Sequence, residues 1–86
     1  MINPRVKKVE AFTDYTLILT FDNGERRRFD VRPYLSYTVY KPLNEVGFFM
    51  QARVGHGTVI WPTEIDFCPD TLFLESAPLA DSADAA

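Results

Sequence analysis

His56 and Cys68 are the single histidine and the single cysteine of the chain, and they are the side chains best suited to proton transfer and nucleophilic attack near neutral pH. General-base work at His56 would need an orienting carboxylate, and metal binding would need further ligands close by. His56 stands instead between Gly55 and Gly57, which reads as an exposed turn. Cys68 would act as a nucleophile only with a base beside it, and its neighbours supply none. A small buried apolar residue is the expected role for it. One His and one Cys cannot close a four-ligand transition-metal site within a monomer. No metal, no cofactor and no enzymatic activity are therefore expected.

Glu64, Asp66 and Asp70 form the acidic set. On an extended stretch Glu64 and Asp66 would share a face and offer oxygen ligands to a divalent cation. The spacing lacks the glycine and the bidentate glutamate of a Ca²⁺ loop. The three read better as a turn acid, a solvent-facing acid and a helix N-cap.

Two further groups have the chemistry of binding rather than of catalysis. Arg26, Arg27 and Arg28 are consecutive, and on a strand Arg27 must point away from its two neighbours. Arg26 and Arg28 together with Lys7 and Lys8 would make a basic strip on one sheet face, an alternative site for nucleic acid. Against it stands the charge balance. Residues 33–86 carry two bases and seven acids, and the whole chain has a formal charge of −3, whereas phosphate-backbone binding runs on net positive charge. Tyr34, Tyr37 and Tyr40 recur every third residue. Tyrosine is enriched at protein interfaces, where its ring is apolar and its hydroxyl can be satisfied. These three are the expected contact surface for another small protein or a second copy of this chain, the other reading being that they lid the core.

Positioning these residues falls to a short sequence of alternating patterns. Tyr15, Leu17, Leu19 and Phe21 alternate with Thr16, Ile18 and Thr20, the period of a strand. Asp22-Asn23-Gly24 is a turn signal, and Glu25 to Val31 alternates again, so the two runs form a hairpin. A two-residue loop would set Leu17 opposite Asp30. A three-residue loop, Asp22 to Gly24, sets Leu17 opposite Phe29 and Leu19 opposite Arg27. Only the second gathers the apolar residues on one face, so Gly24 is expected in the left-handed conformation of a G1 bulge. Arg5 to Phe12 alternates weakly, with Lys7 and Lys8 breaking the pattern, which suits an edge strand.

After Pro33 the pattern turns helical or irregular. Leu43, Val46 and Met50 follow helical spacing with Asn44 as a possible cap. Gln51 to Val54 and Thr58 to Trp61 read as a second hairpin about Gly55-His56-Gly57. Ile65 and Phe67 are core candidates, and Asp70 is a plausible N-cap for a last turn with Leu72 and Phe73 inward. The expected fold is α+β: a small antiparallel three-stranded meander plus a second hairpin, with one or two short helices. Residues 1–76 form the single domain, and 77–86 read as a disordered acidic, Ala-rich tail. The twelve aromatic residues make a dense core feasible at this size. The lone cysteine and the lack of an apolar N-terminal or membrane-spanning run point to the cytoplasm.

The runs Leu19-Thr20-Phe21-Asp22-Asn23-Gly24-Glu25, Phe29-Asp30-Val31 and Trp61-Pro62, with Asp66, Pro69 and Asp70 behind them, resemble a bacterial domain-of-unknown-function family, number 2442, over about residues 3 to 75. The resemblance implies a small α+β domain and supplies no catalytic residues. Some relatives look like fusions to a helix-turn-helix DNA reader, which is not expected here. Others are encoded beside a second short protein, an arrangement similar to toxin–antitoxin pairs. It thus implies a non-catalytic interaction module, the antitoxin-like member of such a pair.

Overall fold

The computed structural model describes residues 3–79. The chain begins with a meander of β1 (Val6–Ala11), β2 (Thr16–Phe21) and β3 (Arg26–Asp30). An irregular connector follows, with 3₁₀ stretches at Arg32–Tyr34 and Thr38–Asn44, and leads into the single turn α1 (Val46–Phe49). β4 (Arg53–Gly55), β5 (Thr58–Trp61) and β6 (Ile65–Asp66) make a second antiparallel sheet, then α2 (Pro69–Leu74) and β7 (Ala77–Pro78) complete the described chain. The first sheet runs β1-β2-β3-β7. The fold is the expected small α+β arrangement, with one strand more in each sheet.

Side-chain parity sets the central hairpin as argued: Leu17 lies opposite Phe29 and Leu19 opposite Arg27. Gly24 has φ 90°, its N–H donates to the Phe21 carbonyl at 2.9 Å, and the Phe21 N–H donates to the Glu25 carbonyl at 2.8 Å. The β1–β2 connection repeats this geometry with Tyr15 where glycine would be expected, at φ 68°. That conformation costs an L-residue about 1–2 kcal/mol. Hydrogen bonds offset it: Asp14 Oδ1 accepts the Thr16 N–H at 3.2 Å and the Thr16 hydroxyl, and the Tyr15 hydroxyl donates to the distant Asn44 carbonyl. The weak alternation of β1 also has a structural cause. Val6 pairs with Phe21 but Lys8 pairs with Thr20, so Lys7 is the extra residue of a β-bulge.

The core lies between the inner face of the first sheet and the second sheet with its helical turns. Leu17, Leu19 and Phe21 are fully buried there, as are Val59 and Leu72. Trp61 is 2% exposed, and its indole N–H donates to the Phe49 carbonyl at 2.8 Å, so the one polar atom of this large ring is satisfied inside the core. Ile65 and Phe67 are buried as expected. Among the described residues, no helix is long and apolar enough to cross a membrane.

Several local expectations are corrected. The domain does not stop at residue 76: Ala77 and Pro78 pair with Arg28 and Arg27, and the Leu79 N–H donates to the Arg26 carbonyl at 3.1 Å. Backbone pairing, which composition does not register, extends the fold there; residues 80–86 of the expected tail lie outside the described residues. The second hairpin turns through two residues, His56 and Gly57, with Gly55 paired to Thr58. The buried residue of α1 is Phe49, while Val46 and Met50 are 41% and 42% exposed, because one helical turn after Glu45 presents a different face from a helix begun at Leu43. Asn44 is not its cap. Its amide donates to the Leu35 and Lys41 carbonyls at 2.9 and 3.1 Å and so braces the connector. Asp70 falls in the first turn of α2, with Cys68 at the N-cap position, and accepts from Asn3 Nδ2 at 3.2 Å. Cys68 itself is exposed rather than buried, since strand parity from buried Phe67 turns it outward.

Candidate protein-interaction site

Arg27 shows how the sheet separates its charges. It lies on the inner face opposite Leu19, where its guanidinium sits 4.5 Å from the centroid of Phe73. Nε and Nη2 donate to the Ser76 hydroxyl and carbonyl, both at 2.7 Å, and Nη1 pairs with Glu25 at 2.9 Å. Its charge is spent within the fold. On the outer face, Lys8 and Arg26 flank Thr20, and the next row is Glu10, Ile18 and Arg28. Lys7 belongs to the bulge. A shallow groove of about 430 Å³ runs between these rows, with Ile18 and Thr20 in its floor. The basic strip thus has three of its four members on one face, but Glu10 interrupts it.

Of the expected chemical residues, His56, Glu64 and Asp66 line one open pocket of about 380 Å³ beside Arg53 and Trp61, whereas Cys68 and Asp70 are not among its lining residues. His56 occupies an exposed turn at φ 55°, and Glu64 sits at φ 66° in the turn before β6. Among the described residues no group of three or more His, Cys, Asp or Glu could hold a metal ion.

The tyrosines pack ring against ring. The connector is bent by Pro33 and Pro42 and braced by Asn44, which brings three rings separated by single turns into contact. Tyr40 stacks on Phe67 with centroids 4.4 Å apart and planes 9° apart. Tyr34 stacks on Phe29 at 5.5 Å and 16°. These two lid the core, so the core-lid reading holds for them in part. Tyr37 is different. It leans on Tyr34 and Tyr40 at 5.9 and 6.4 Å, with 56% of its surface exposed. Val39, two residues on, is 61% exposed.

Burial pushes the Tyr34 phenol above its ordinary pKa, with the Glu75 carboxylate adding to the effect. Burial does the same for Tyr40, reinforced by Asp66, whose carbonyl accepts the Tyr40 hydroxyl at 3.3 Å. The Tyr34 and Tyr40 hydroxyls therefore stay protonated donors through the physiological range. The exposure of Val39 went unread in the sequence, although a β-branched residue between two tyrosines in a proline-bounded connector was its available signal.

No curated protein and no solved structure matches the chain. A family profile described as a protein of unknown function, DUF2442, matches residues 6–78, from the first residue of β1 to the last of β7. The chain belongs to the DUF2442 family.

Proposed function

We propose that this chain is a non-catalytic, cytoplasmic protein-interaction module, which docks a second small protein through its connector with Tyr37 at the centre of the contact. The observation that carries the reading is the exposure of Tyr37 and Val39, at 56% and 61%, beside two rings immobilised on Phe29 and Phe67. Rigid aromatic anchors lose little conformational freedom on docking, and interface centres favour them. The single exposed cysteine suits a reducing compartment. In keeping with the family resemblance, the partner is a neighbour-encoded short protein, and this chain is the antitoxin-like member of the pair.

The test is co-purification and titration with the product of the adjacent gene, using the wild type and Tyr37→Ala. Loss of a central anchor costs about 2 kcal/mol or more, roughly a thirtyfold weakening. The thermal midpoint should stay within a few degrees, because the Tyr37 ring is mostly outside the core. Equal affinity of the variant would remove Tyr37 from the interface. Self-association lost with Tyr37→Ala would replace the second protein by a second copy. Salt-dependent DNA or RNA binding lost on Lys8→Ala/Arg26→Ala, with Tyr37→Ala neutral, would move the function to the outer sheet face.

A further inference from the structure

The arrangement of the three tyrosines carries a more specific statement about the partner, one that rests on the docking reading above. Tyr37 and Tyr40 have planes within 27° of each other. Tyr34 stands nearly perpendicular to both, at 88° and 81°. Tyr34 and Tyr40 are each backed by a phenylalanine, so the cluster is held from behind and open at Tyr37. Aromatic faces carry the negative lobe of the ring quadrupole, and a cation within about 6 Å of such a face is attracted to it.

Two carboxylates bear on the rings from nearby. The Glu75 carboxylate acts on Tyr34 and the Asp66 carboxylate on Tyr40. Of the cations flanking the connector, Arg32 is engaged by Asp30 at 2.9 Å, which leaves Lys41, next to Tyr40 in the chain. Elsewhere the fold builds a like arrangement for itself: the Arg27 guanidinium over Phe73, with a carboxylate closing it.

We infer that the Tyr34–Tyr37–Tyr40 cluster receives an arginine side chain of the partner protein. Arginine rather than lysine follows from the flat, exposed ring of Tyr37. A planar, weakly hydrated guanidinium stacks on such a face and keeps its fork of donors for a carboxylate at the rim, whereas an ammonium must shed more water.

The experiment titrates the full chain with Nα-acetyl-arginine methylamide and, separately, with its uncharged isostere Nα-acetyl-citrulline methylamide, following the tyrosine ring resonances by NMR. The arginine probe should shift the Tyr37 and Tyr40 rings and bind about two- to fivefold more tightly than the citrulline probe, the range for an exposed cation–π contact. Tyr37→Leu, which keeps an apolar surface without the quadrupole, should abolish that preference while leaving the protein folded. Equal affinity of the two probes, or shifts confined to the outer sheet face, would overturn the inference. If Tyr37→Ala disrupts the partner complex while the probes do not differ, the docking reading stands and the arginine inference falls. If the probes differ while Tyr37→Ala leaves the complex intact, the cluster selects arginine but the docking reading falls, and with it the assignment to a partner.

Discussion

Replacing Arg27 should destabilise this domain more than replacing any other basic residue. Its side chain is 13% exposed and makes three kinds of contact at once. The two donations to Ser76 at 2.7 Å come from a charged group, and hydrogen bonds of that kind contribute about 1.5–3 kcal/mol net. The contact with Phe73 adds about 0.5–1 kcal/mol. The Glu25 pair is worth less than about 1 kcal/mol, because Glu25 is 41% exposed and screened by solvent. Such contributions overlap, and Arg27→Ala should cost about 3 kcal/mol in total. For a domain of this size that is a fall in thermal midpoint of roughly 12–24 °C. Arg27→Met keeps an unbranched stem over Phe73 while removing every donor, so it should cost about 2 kcal/mol. Urea unfolding of the three proteins gives the free energies. Native-state hydrogen exchange gives the location, since the Leu79 N–H bonded to Arg26 should lose protection before the amides of β2. If Arg27→Ala lies within about 0.5 kcal/mol of the wild type, the Ser76 contacts do not hold the sheet edge and this reasoning fails.

Gly24→Val should lower stability by about 1 kcal/mol or more. Its φ of 90° resists a β-branched side chain, although open space surrounds the site; an unchanged midpoint would contradict the bulged turn. Truncation after Ser76 should cost about 1 kcal/mol by removing the β7 pairing and the Leu79 bond, read as a lower urea midpoint; no change would restore the shorter domain boundary. The carboxyl of Asp14 is held below the ordinary range chiefly by the Thr16 hydroxyl, and that of Asp30 chiefly by Arg32. Their stabilisation is complete above about pH 4 and disappears as the pH falls through their folded-state values. Asp14→Asn/Asp30→Asn should therefore flatten the acid limb of the stability profile, and an unaltered limb would show that other carboxylates dominate it.

The register of the central hairpin was legible because parity is a yes-or-no constraint: a one-residue slip would have buried Asp30 and exposed Phe29. The same logic separated Arg27 from Arg26 and Arg28. What stayed hidden depends on contacts between distant segments. Ala77 and Pro78 look like tail because nothing in their composition announces an unpaired strand edge waiting at β3. Cys68 follows buried Phe67 and therefore faces out, but that needs the strand to continue past β6. Tyr15 in a left-handed turn is only half legible locally: Asp14 holds Thr16 from next door, but the Asn44 carbonyl that takes the Tyr15 hydroxyl is 29 residues away. The tyrosine cluster was half legible. The spacing of three gave proximity, while the division into two core lids and one exposed ring depends on where Phe29 and Phe67 stand.

The pairing of β7 with β3 has a consequence for the route by which the chain folds. Arg27 and Ser76 are 49 residues apart in sequence, whereas β2 and β3 meet across a three-residue turn. Closing the longer loop carries the larger entropic cost, and contacts of high separation form late. For an interval, then, β3 presents a bare row of backbone donors and acceptors, the kind of edge onto which a second molecule can add a strand. Arg27 points inward from that edge. A strand that lacks a serine at this place would bury the guanidinium without the two Ser76 acceptors, a cost that β7, with Ser76 next to it, does not meet. Arg27 thus favours β7 over a strand of unrelated sequence at the β3 edge, whereas β7 of a second copy would satisfy it equally.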